Sequence, residues 1–150
     1  MQSDSTTPAV ILVIEDNPFV REMICDWLRR VGYRALAASS ERGAARILEH
    51  RPVDLAIIDL DIHRGEGLSL VRSVEGKLGG AGLVFLSRAA NQDEARHAVP
   101  AESAVVGLGK PYSLYVLEQV VRAALARAGS VSAATRKSER AERSCCDGHC

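Results

Sequence analysis

The sequence has no long apolar run, no excess of charge of either sign and few cysteines. No apolar stretch approaches the roughly 20 residues that a membrane-spanning helix needs. The 19 basic residues balance the 19 acidic ones, so the electrostatic signature of a nucleic-acid-binding protein is missing. The first residues, Met1–Thr7, lack the positive charge that opens a secretory signal and contain Asp4. We therefore expect a cytoplasmic protein that binds neither nucleic acid nor a membrane.

Cysteine usage argues against a disulfide framework. Thiols stay reduced in the cytoplasm, and three of the four cysteines lie close together at the end of the sequence, as Cys145, Cys146 and Cys150, beside His149. Thiolates and imidazole suit Zn²⁺ or another soft metal. Because no second cluster completes such a site, we interpret this segment as an inert tail. A metal or redox role is the alternative.

Apolar runs of strand length alternate with segments of helical period along the chain. This alternation is typical of repeated strand–helix units, and it predicts an α/β fold with a parallel sheet. The 150 residues, 47% of them hydrophobic, are enough for one domain with a buried core. We expect a folded domain over 9–128, a disordered N-terminus over 1–8 and a disordered polar tail over 129–150. The predicted strands are Val10–Ile14, Tyr33–Ala37, Asp54–Asp59, Leu83–Ser87 and Ala104–Leu108.

Helix boundaries follow from capping and glycine signals. Asn17-Pro18 opens the first helix, and Gly32 is a plausible stop. Ser39 or Ser40 caps the second helix, which runs to about His50. Further helices are predicted around Leu68–Val74, at Asn91–His97 and from Pro111 or Ser113 to about Arg127, with a glycine-rich connection over Gly76–Gly82. Helical spacing predicts this inner stripe for the first helix: Val20, Met23, Ile24, Trp27, Leu28 and Val31.

Four of the predicted strands end at polar residues with complementary chemistry. Glu15-Asp16 follows the first strand, Asp59 ends the third, Ser87 ends the fourth and Lys110 follows the fifth. In an open parallel sheet, ligands bind beyond the carboxyl ends of the strands. The pattern therefore predicts that these side chains converge into a site for a divalent cation and an acyl phosphate.

The segments that carry these residues resemble the receiver domain of two-component response regulators. Ile11–Asn17 reads ILVIEDN, Asp54–Gly67 reads DLAIIDLDIHRGEG, and Lys110-Pro111-Tyr112 matches the Lys-Pro-aromatic signature of that family. The resemblance covers roughly Val10–Arg127. It implies a flavodoxin-like, doubly wound sheet of five parallel strands with five helices. Because the tail is short and polar, we expect a stand-alone receiver that signals through contacts with other proteins.

The resemblance also implies a role for each carboxylate of the site. Asp59 would accept a phosphoryl group from the phosphohistidine of a sensor histidine kinase or a histidine phosphotransfer protein. Asp16 and Asp59 would bind Mg²⁺ directly, and Glu15 would act through water. The backbone carbonyl of Asp61 would complete the protein ligands. Mg²⁺ prefers one or two carboxylates together with retained waters, which suits this set.

The remaining site residues would stabilise the phosphoryl group. By the same resemblance, Ser87 would donate a hydrogen bond to it, Lys110 would bind one of its oxygens and Pro111 would hold the following turn through a cis bond. We expect no cofactor besides Mg²⁺ and no small-molecule substrate. In enzymatic terms the protein would catalyse only its own phosphorylation and dephosphorylation.

Several positions depart from the family pattern. Gly107 stands three residues before the lysine, where the family usually has an aromatic switch residue. Arg88 follows Ser87 where a small residue is usual, and His63-Arg64 replaces common Pro and Gly. Asp61 adds a carboxylate two residues after the phosphoacceptor. These departures predict a site that is functional but whose properties differ from those usual in the family.

Two other functions and one assembly are consistent with the sequence. A pseudo-receiver would dock partners without being phosphorylated. Asp59-Leu60-Asp61-Ile62 also resembles the nucleophile motif of haloacid-dehalogenase phosphohydrolases, but that family carries it on the first strand. For assembly, Tyr115, Val116 and Ala123 give the last helix a second apolar face, which predicts a symmetric homodimer.

Overall fold

Strands and helices alternate along the chain, as the sequence predicts. The computed structural model describes residues 7–62, 67–88, 92–97 and 104–129. The strands are β1 (Val10–Ile14), β2 (Arg34–Ala38), β3 (Leu55–Asp59), β4 (Gly82–Ser87) and β5 (Val105–Gly109). The helices are α1 (Pro18–Arg30), α2 (Glu41–His50), α3 (Gly67–Leu78) and α4 (Gln92–His97), and we name the helical residues 114–129 α5.

The five strands form one parallel sheet in the order β2-β1-β3-β4-β5. The order reverses after β1, which makes the sheet doubly wound and confirms the predicted flavodoxin-like class. Asp59 of β3 is in register with Leu86 of β4, and Ser87 is in register with Gly109 of β5. The carboxyl ends of β3, β4 and β5 therefore lie at the same edge of the sheet.

Each face of the sheet carries its own hydrophobic core. Leu12 and Ile14 of β1 pack towards α2 and α3, whereas Ile11 and Val13 pack towards α1 and α5. Because both faces are covered, β1 from Ile11 onward is buried along its whole length, as expected for a central parallel strand. Each buried Val, Leu or Ile side chain of β1 contributes roughly 1.5–3 kcal/mol to the free energy of folding, because it is removed from water.

Side-chain caps set the starts of α1 and α2. The Asn17 Oδ1 accepts hydrogen bonds from the backbone N–H groups of Phe19 and Val20, at 2.9 and 3.3 Å. The Ser40 hydroxyl accepts one from the Gly43 N–H at 3.2 Å. After α1 the chain turns at Gly32, whose φ of 104° favours glycine. These caps confirm the predicted starts and select Ser40 over Ser39.

Two local predictions were wrong. Helical spacing predicts Met23 on the inner stripe of α1, but 46% of it is exposed and Cys25 is buried instead. The stripe that packs on the sheet is centred on Ile24 and Leu28, so Met23 lies at its margin. The predicted glycine-rich connection is also shorter, because α3 continues to Leu78 and β4 begins at Gly82.

Some predictions fall on residues outside the described ones. These are the N-terminal residues 1–6, the loop positions His63 and Arg64, and the tail from Ser130 with its Cys145–Cys150 cluster. Within the residues described, no helix combines the length and the apolar character needed to cross a membrane.

Candidate functional site

The polar residues at the ends of β1, β3 and β5 converge as the sequence predicts, whereas after β4 it is Arg88 and not Ser87 that lines the crevice. A crevice of about 870 Å³ opens at the carboxyl edge of the sheet and is lined by polar side chains at the ends of four strands: Glu15, Asp16, Asn17, Asp59, Arg88 and Lys110. Apolar side chains of α1 and of the segment after β5 complete its wall: Val20, Met23, Pro111, Tyr112 and Leu114. The crevice thus has a charged floor and an apolar rim.

Asp59 lies at the centre of the charged floor. It is only 6% exposed, and the ammonium of Lys110 donates to both of its carboxylate oxygens, at 2.8 and 2.9 Å. The backbone N–H of Asp61 donates to the Asp59 Oδ1 at 2.9 Å. Burial alone would raise the pKa of Asp59, but its interactions with the neighbouring Glu15 and with the Lys110 ammonium outweigh burial and lower it. Asp59 is therefore ionised and able to act as a nucleophile at neutral pH.

The side chain of Asp61 also binds Lys110, which the sequence reasoning missed. Its Oδ2 accepts from the Lys110 ammonium at 3.0 Å. The sequence resemblance assigned only the backbone carbonyl of Asp61 a role. Its position two residues after Asp59 was the available signal, because that spacing keeps the two carboxylates close together beyond the strand end.

Glu15 is the most perturbed acid of the site. It is 3% exposed, its Oε1 accepts from the Asn17 N–H at 3.1 Å, and its buried Oε2 has no hydrogen-bond partner among the residues described. Burial first, and then the Asp59 carboxylate beside it, raises the pKa of Glu15 from 4.5 to about 8. The Arg21 guanidinium, which the sequence reasoning also missed, holds the loop by donating to the Glu15 carbonyl oxygen at 2.8 Å.

Ser87 and Lys110 are linked through the backbone. The Lys110 N–H donates to the Ser87 carbonyl oxygen at 2.9 Å, and the Lys110-Pro111 bond is cis, as the resemblance implies. Ser87 is fully buried, and its Oγ makes no hydrogen bond within the described part of the chain. A buried hydroxyl without a partner costs free energy, so the hydroxyl of Ser87 has an unused hydrogen-bonding capacity next to the crevice wall residue Arg88.

The donor set of the crevice suits Mg²⁺. Carboxylate oxygens are the ligands that this ion takes, and one or two of them are enough when waters fill the other positions. Asp59 and the exposed Asp16 line the crevice, and the partnerless Oε2 of Glu15 lies in the same loop. The described residues contain no group of three or more Asp, Glu, His or Cys side chains that could hold a metal ion by themselves. The residues present therefore fit an ion that keeps much of its water.

Comparison with known proteins places this chain in a family. The model of the response regulator receiver domain matches residues 11–122. The regulatory protein VirG of Rhizobium rhizogenes is 31% identical over 67 residues, which cover 45% of this chain and 28% of that protein. A probable transcriptional regulatory protein of Picosynechococcus sp. is 29% identical over 148 residues, which cover 93% of this chain and 58% of that protein. The chain thus corresponds to only part of each of these relatives.

Solved structures agree with the family match. A response regulator receiver domain protein (CheY-like) from Methanospirillum hungatei superimposes with a TM-score of 0.73 at 17% identity, over 83% of this chain and 98% of that one. A receiver domain protein from Clostridium thermocellum gives a TM-score of 0.69 at 25% identity, over 79% and 95% of the two chains. The sheet order, the converging strand ends and the family match together show that this chain belongs to the response regulator receiver domain family.

Proposed function

We propose that this receiver accepts a phosphoryl group on Asp59, in a reaction that requires Mg²⁺, and that it signals through contacts with other proteins. The phosphodonor is the phosphohistidine of a sensor histidine kinase or of a histidine phosphotransfer protein. The observation that carries the proposal is the contact of the Lys110 ammonium with both oxygens of a buried, ionised Asp59. This arrangement supplies a nucleophile and a cation at the same point.

Each residue of the site has a definite part in the phosphoryl transfer. One Asp59 oxygen forms a bond to phosphorus, the bond from phosphorus to the donor nitrogen breaks, and the electron pair stays on that nitrogen. As the carboxylate charge moves onto the phosphoryl group, Lys110 can transfer a hydrogen bond from Asp59 to a phosphoryl oxygen. Ser87 donates its unused hydroxyl proton to another. Asp16 and Asp59 would hold Mg²⁺ directly, Glu15 would act through water, and the backbone carbonyl of Asp61 would complete the protein ligands. The ion would supply positive charge against the transferring group.

The rim of the crevice supports a protein as phosphodonor. Met23 of this rim is 46% exposed, and Phe19, which precedes Val20 of the rim in α1 and does not itself line the crevice, is 82% exposed. A small phosphodonor needs no apolar rim of this kind, whereas a partner protein gains affinity by covering it. The proposed setting is the cytoplasm, where the free thiol of Cys25 stays reduced.

Two alternatives are less well supported. A pseudo-receiver that only docks partners has no use for an ionised aspartate clamped by a lysine. A haloacid-dehalogenase-like phosphohydrolase needs the second aspartate of its motif as a general acid or base. Here Asp61 is bound to Lys110. The Asp59–Ile62 motif also begins at the end of the third strand, whereas that family carries it on the first strand.

Mass spectrometry tests the proposal. The protein is incubated with acetyl phosphate and Mg²⁺, and its intact mass is recorded. We expect one phosphoryl adduct that is lost in Asp59→Asn and absent when a chelator is added. Asp54→Asn is the matched control, because Asp54 directly precedes β3 at the opposite edge of the sheet, where it accepts from the Val10 N–H. An adduct that persists in Asp59→Asn would refute the assignment, and sustained turnover of p-nitrophenyl phosphate would favour the hydrolase.

A further inference from the structure

The acidic loop after β1 is bonded to Arg21 at two points. The Arg21 guanidinium donates through Nη1 to the carbonyl oxygen of Glu15 at 2.8 Å, and the Arg21 backbone N–H donates to the carbonyl oxygen of Asn17 at 2.9 Å. The backbone bond belongs to the first turn of α1, whereas the guanidinium reaches back to the end of the strand. Arg21 therefore connects α1 to both residues that flank Asp16.

The guanidinium bond fixes the peptide group between Glu15 and Asp16. The Glu15 carbonyl belongs to that planar group, so the donor that holds its oxygen also restricts the direction in which Asp16 leaves the strand. The Glu15 N–H is held on the other side by the Ala38 carbonyl oxygen of β2, at 3.1 Å. Asp16 itself is exposed. Its position therefore depends on the backbone that Arg21 holds.

The carboxyl groups of the site are crowded before any cation binds. Burial first, and then the neighbouring Asp59 and Asp16 side chains, raises the pKa of Glu15 to about 8. Ionising all three carboxyl groups together is thus unfavourable in the metal-free protein, and it favours any movement of the loop that separates them. A bond that anchors the loop backbone opposes this movement.

From these contacts we infer that Arg21 is a positioning residue that raises the affinity of the site for Mg²⁺ by holding the peptide group between Glu15 and Asp16. This inference rests on the proposed function. A loop that is already held in the free protein loses little conformational freedom when the ion binds, so binding is tighter.

The positive charge of Arg21 acts in the opposite sense, since it repels a cation. The guanidinium bond is short and partly buried, and a charge-assisted hydrogen bond of this kind is among the stronger ones. The repulsion acts across an open crevice, where solvent and salt screen it. The hold is therefore the larger effect, and the sign of the change on removing Arg21 distinguishes the two.

Isothermal titration of Mg²⁺ into the full chain tests the inference. Arg21→Met keeps most of the aliphatic stem and loses the charge and the donors, whereas Arg21→Lys keeps the charge and a donor. We expect Arg21→Met to bind Mg²⁺ about five- to tenfold more weakly, which corresponds to the net worth of one hydrogen bond, and Arg21→Lys to recover part of the loss. Labelling by acetyl phosphate at saturating Mg²⁺ should keep the wild-type rate, because Asp59 and Lys110 are untouched.

Hydrogen exchange in chelator gives a second measurement that needs neither metal nor phosphorylation. The Asn17 N–H donates to the Glu15 Oε1 at 3.1 Å, so its exchange reports whether the loop stays closed. We expect this amide to exchange faster in Arg21→Met than in the wild type.

Arg29→Met is the matched control. Arg29 lies on the same helix, and its guanidinium also donates to a backbone carbonyl six residues away, that of Ala35 in β2, at 3.3 Å. This change should leave the Mg²⁺ affinity and the Asn17 exchange unchanged.

The possible outcomes separate positioning from general structure. A Mg²⁺ affinity in Arg21→Met that equals or exceeds that of the wild type overturns the inference. A lower labelling rate at saturating Mg²⁺ with unchanged affinity also overturns it, because that result assigns a general structural role. If Arg21→Met does not fold, Arg21→Gln repeats the measurement. A wild type that binds no Mg²⁺ or takes no label refutes the proposed function itself.

Discussion

The Phe85 ring of β4 lies over Gly107 of β5 and fills the space that a side chain at Gly107 would need. A Cβ added at Gly107 would lie 2.5 Å from the Phe85 Cε2 and 2.6 Å from its Cζ. The two residues are in register on neighbouring strands, and Phe85 is fully buried. The position at which the family usually carries a rotating aromatic is thus occupied by a ring that belongs to the next strand. A signal cannot leave this site by rotation of a side chain at Gly107.

The Phe85–Gly107 contact predicts a strong coupling between the two positions. Gly107→Ala should lower the free energy of unfolding by about 1–3 kcal/mol, since the new methyl group overlaps the ring and the core must shift. In a Phe85→Leu background the ring is gone, and the same substitution should cost little, because alanine is favoured over glycine within a strand. Urea denaturation of the two single variants and the double variant measures the coupling. Additive effects would show that the ring does not restrict Gly107.

The raised pKa of Glu15 predicts a pH dependence of stability in metal-free protein. The pKa of Glu15 is about 8 in the folded chain and 4.5 when unperturbed, so between these values the folded state holds a proton that the unfolded state has lost. Stability therefore falls as the pH rises towards and through 8. The lowered pKa of Asp59 acts in the opposite sense, contributing stability above about pH 4 that is lost on acidification.

Thermal unfolding in chelator at pH 6 and pH 9 tests this dependence. The Tm of the wild type should be lower at pH 9 than at pH 6. The difference should be smaller in Glu15→Gln, because glutamine cannot ionise. Glu22→Gln is the matched control, because Glu22 is exposed on α1. Parallel losses of Tm in the wild type and Glu15→Gln would show that Glu15 does not hold the extra proton.

The exposed Phe19 predicts a variant that separates protein phosphodonors from small ones. Phe19→Ala should slow phosphoryl transfer from an autophosphorylated sensor kinase about tenfold or more, since a buried aromatic contact is worth roughly 1.5–3 kcal/mol. Labelling by acetyl phosphate should not change, because Asp59 and Lys110 are untouched. The kinase is chosen from a panel of sensor histidine kinases as the one that transfers its phosphoryl group fastest to the wild type. Tyr115→Ala is the control, because Tyr115 is an exposed aromatic residue of α5. Equal slowing of Phe19→Ala with both donors would show that Phe19 is not part of the docking surface.

The sequence was sufficient for the sheet and for the position of the site, and insufficient for contacts across it. Each apolar run ends at its polar residue within the sequence itself, so Asp59 and Ser87 could be placed at strand ends directly. The contact between Asp61 and Lys110 joins residues 49 positions apart, and that of Phe85 with Gly107 depends on the register of β4 with β5. Neither register nor side-chain direction follows from hydrophobic pattern alone.

The outer face of α5 predicts self-association. Tyr115 and Val116 are 64% and 42% exposed, and Ala123 lies exposed further along the helix, while Leu117 and Val121 are buried against the sheet. A helix that is apolar on two faces generally covers a partner with the second. A second copy of the chain satisfies this by two-fold symmetry, since the same patch then covers itself.

Sedimentation velocity at tens of micromolar tests the homodimer. We expect the full chain and a chain ending at Gly129 to sediment as dimers, and Tyr115→Glu to sediment as a monomer, because two like charges would then meet at the symmetric contact. Glu41→Gln, an exposed change on α2, should leave the dimer intact. Monomers of the wild type with and without phosphorylation would refute the dimer. Dimers of the full chain alone would assign the interface to the residues that follow Gly129, because the shortened chain keeps every apolar residue of α5.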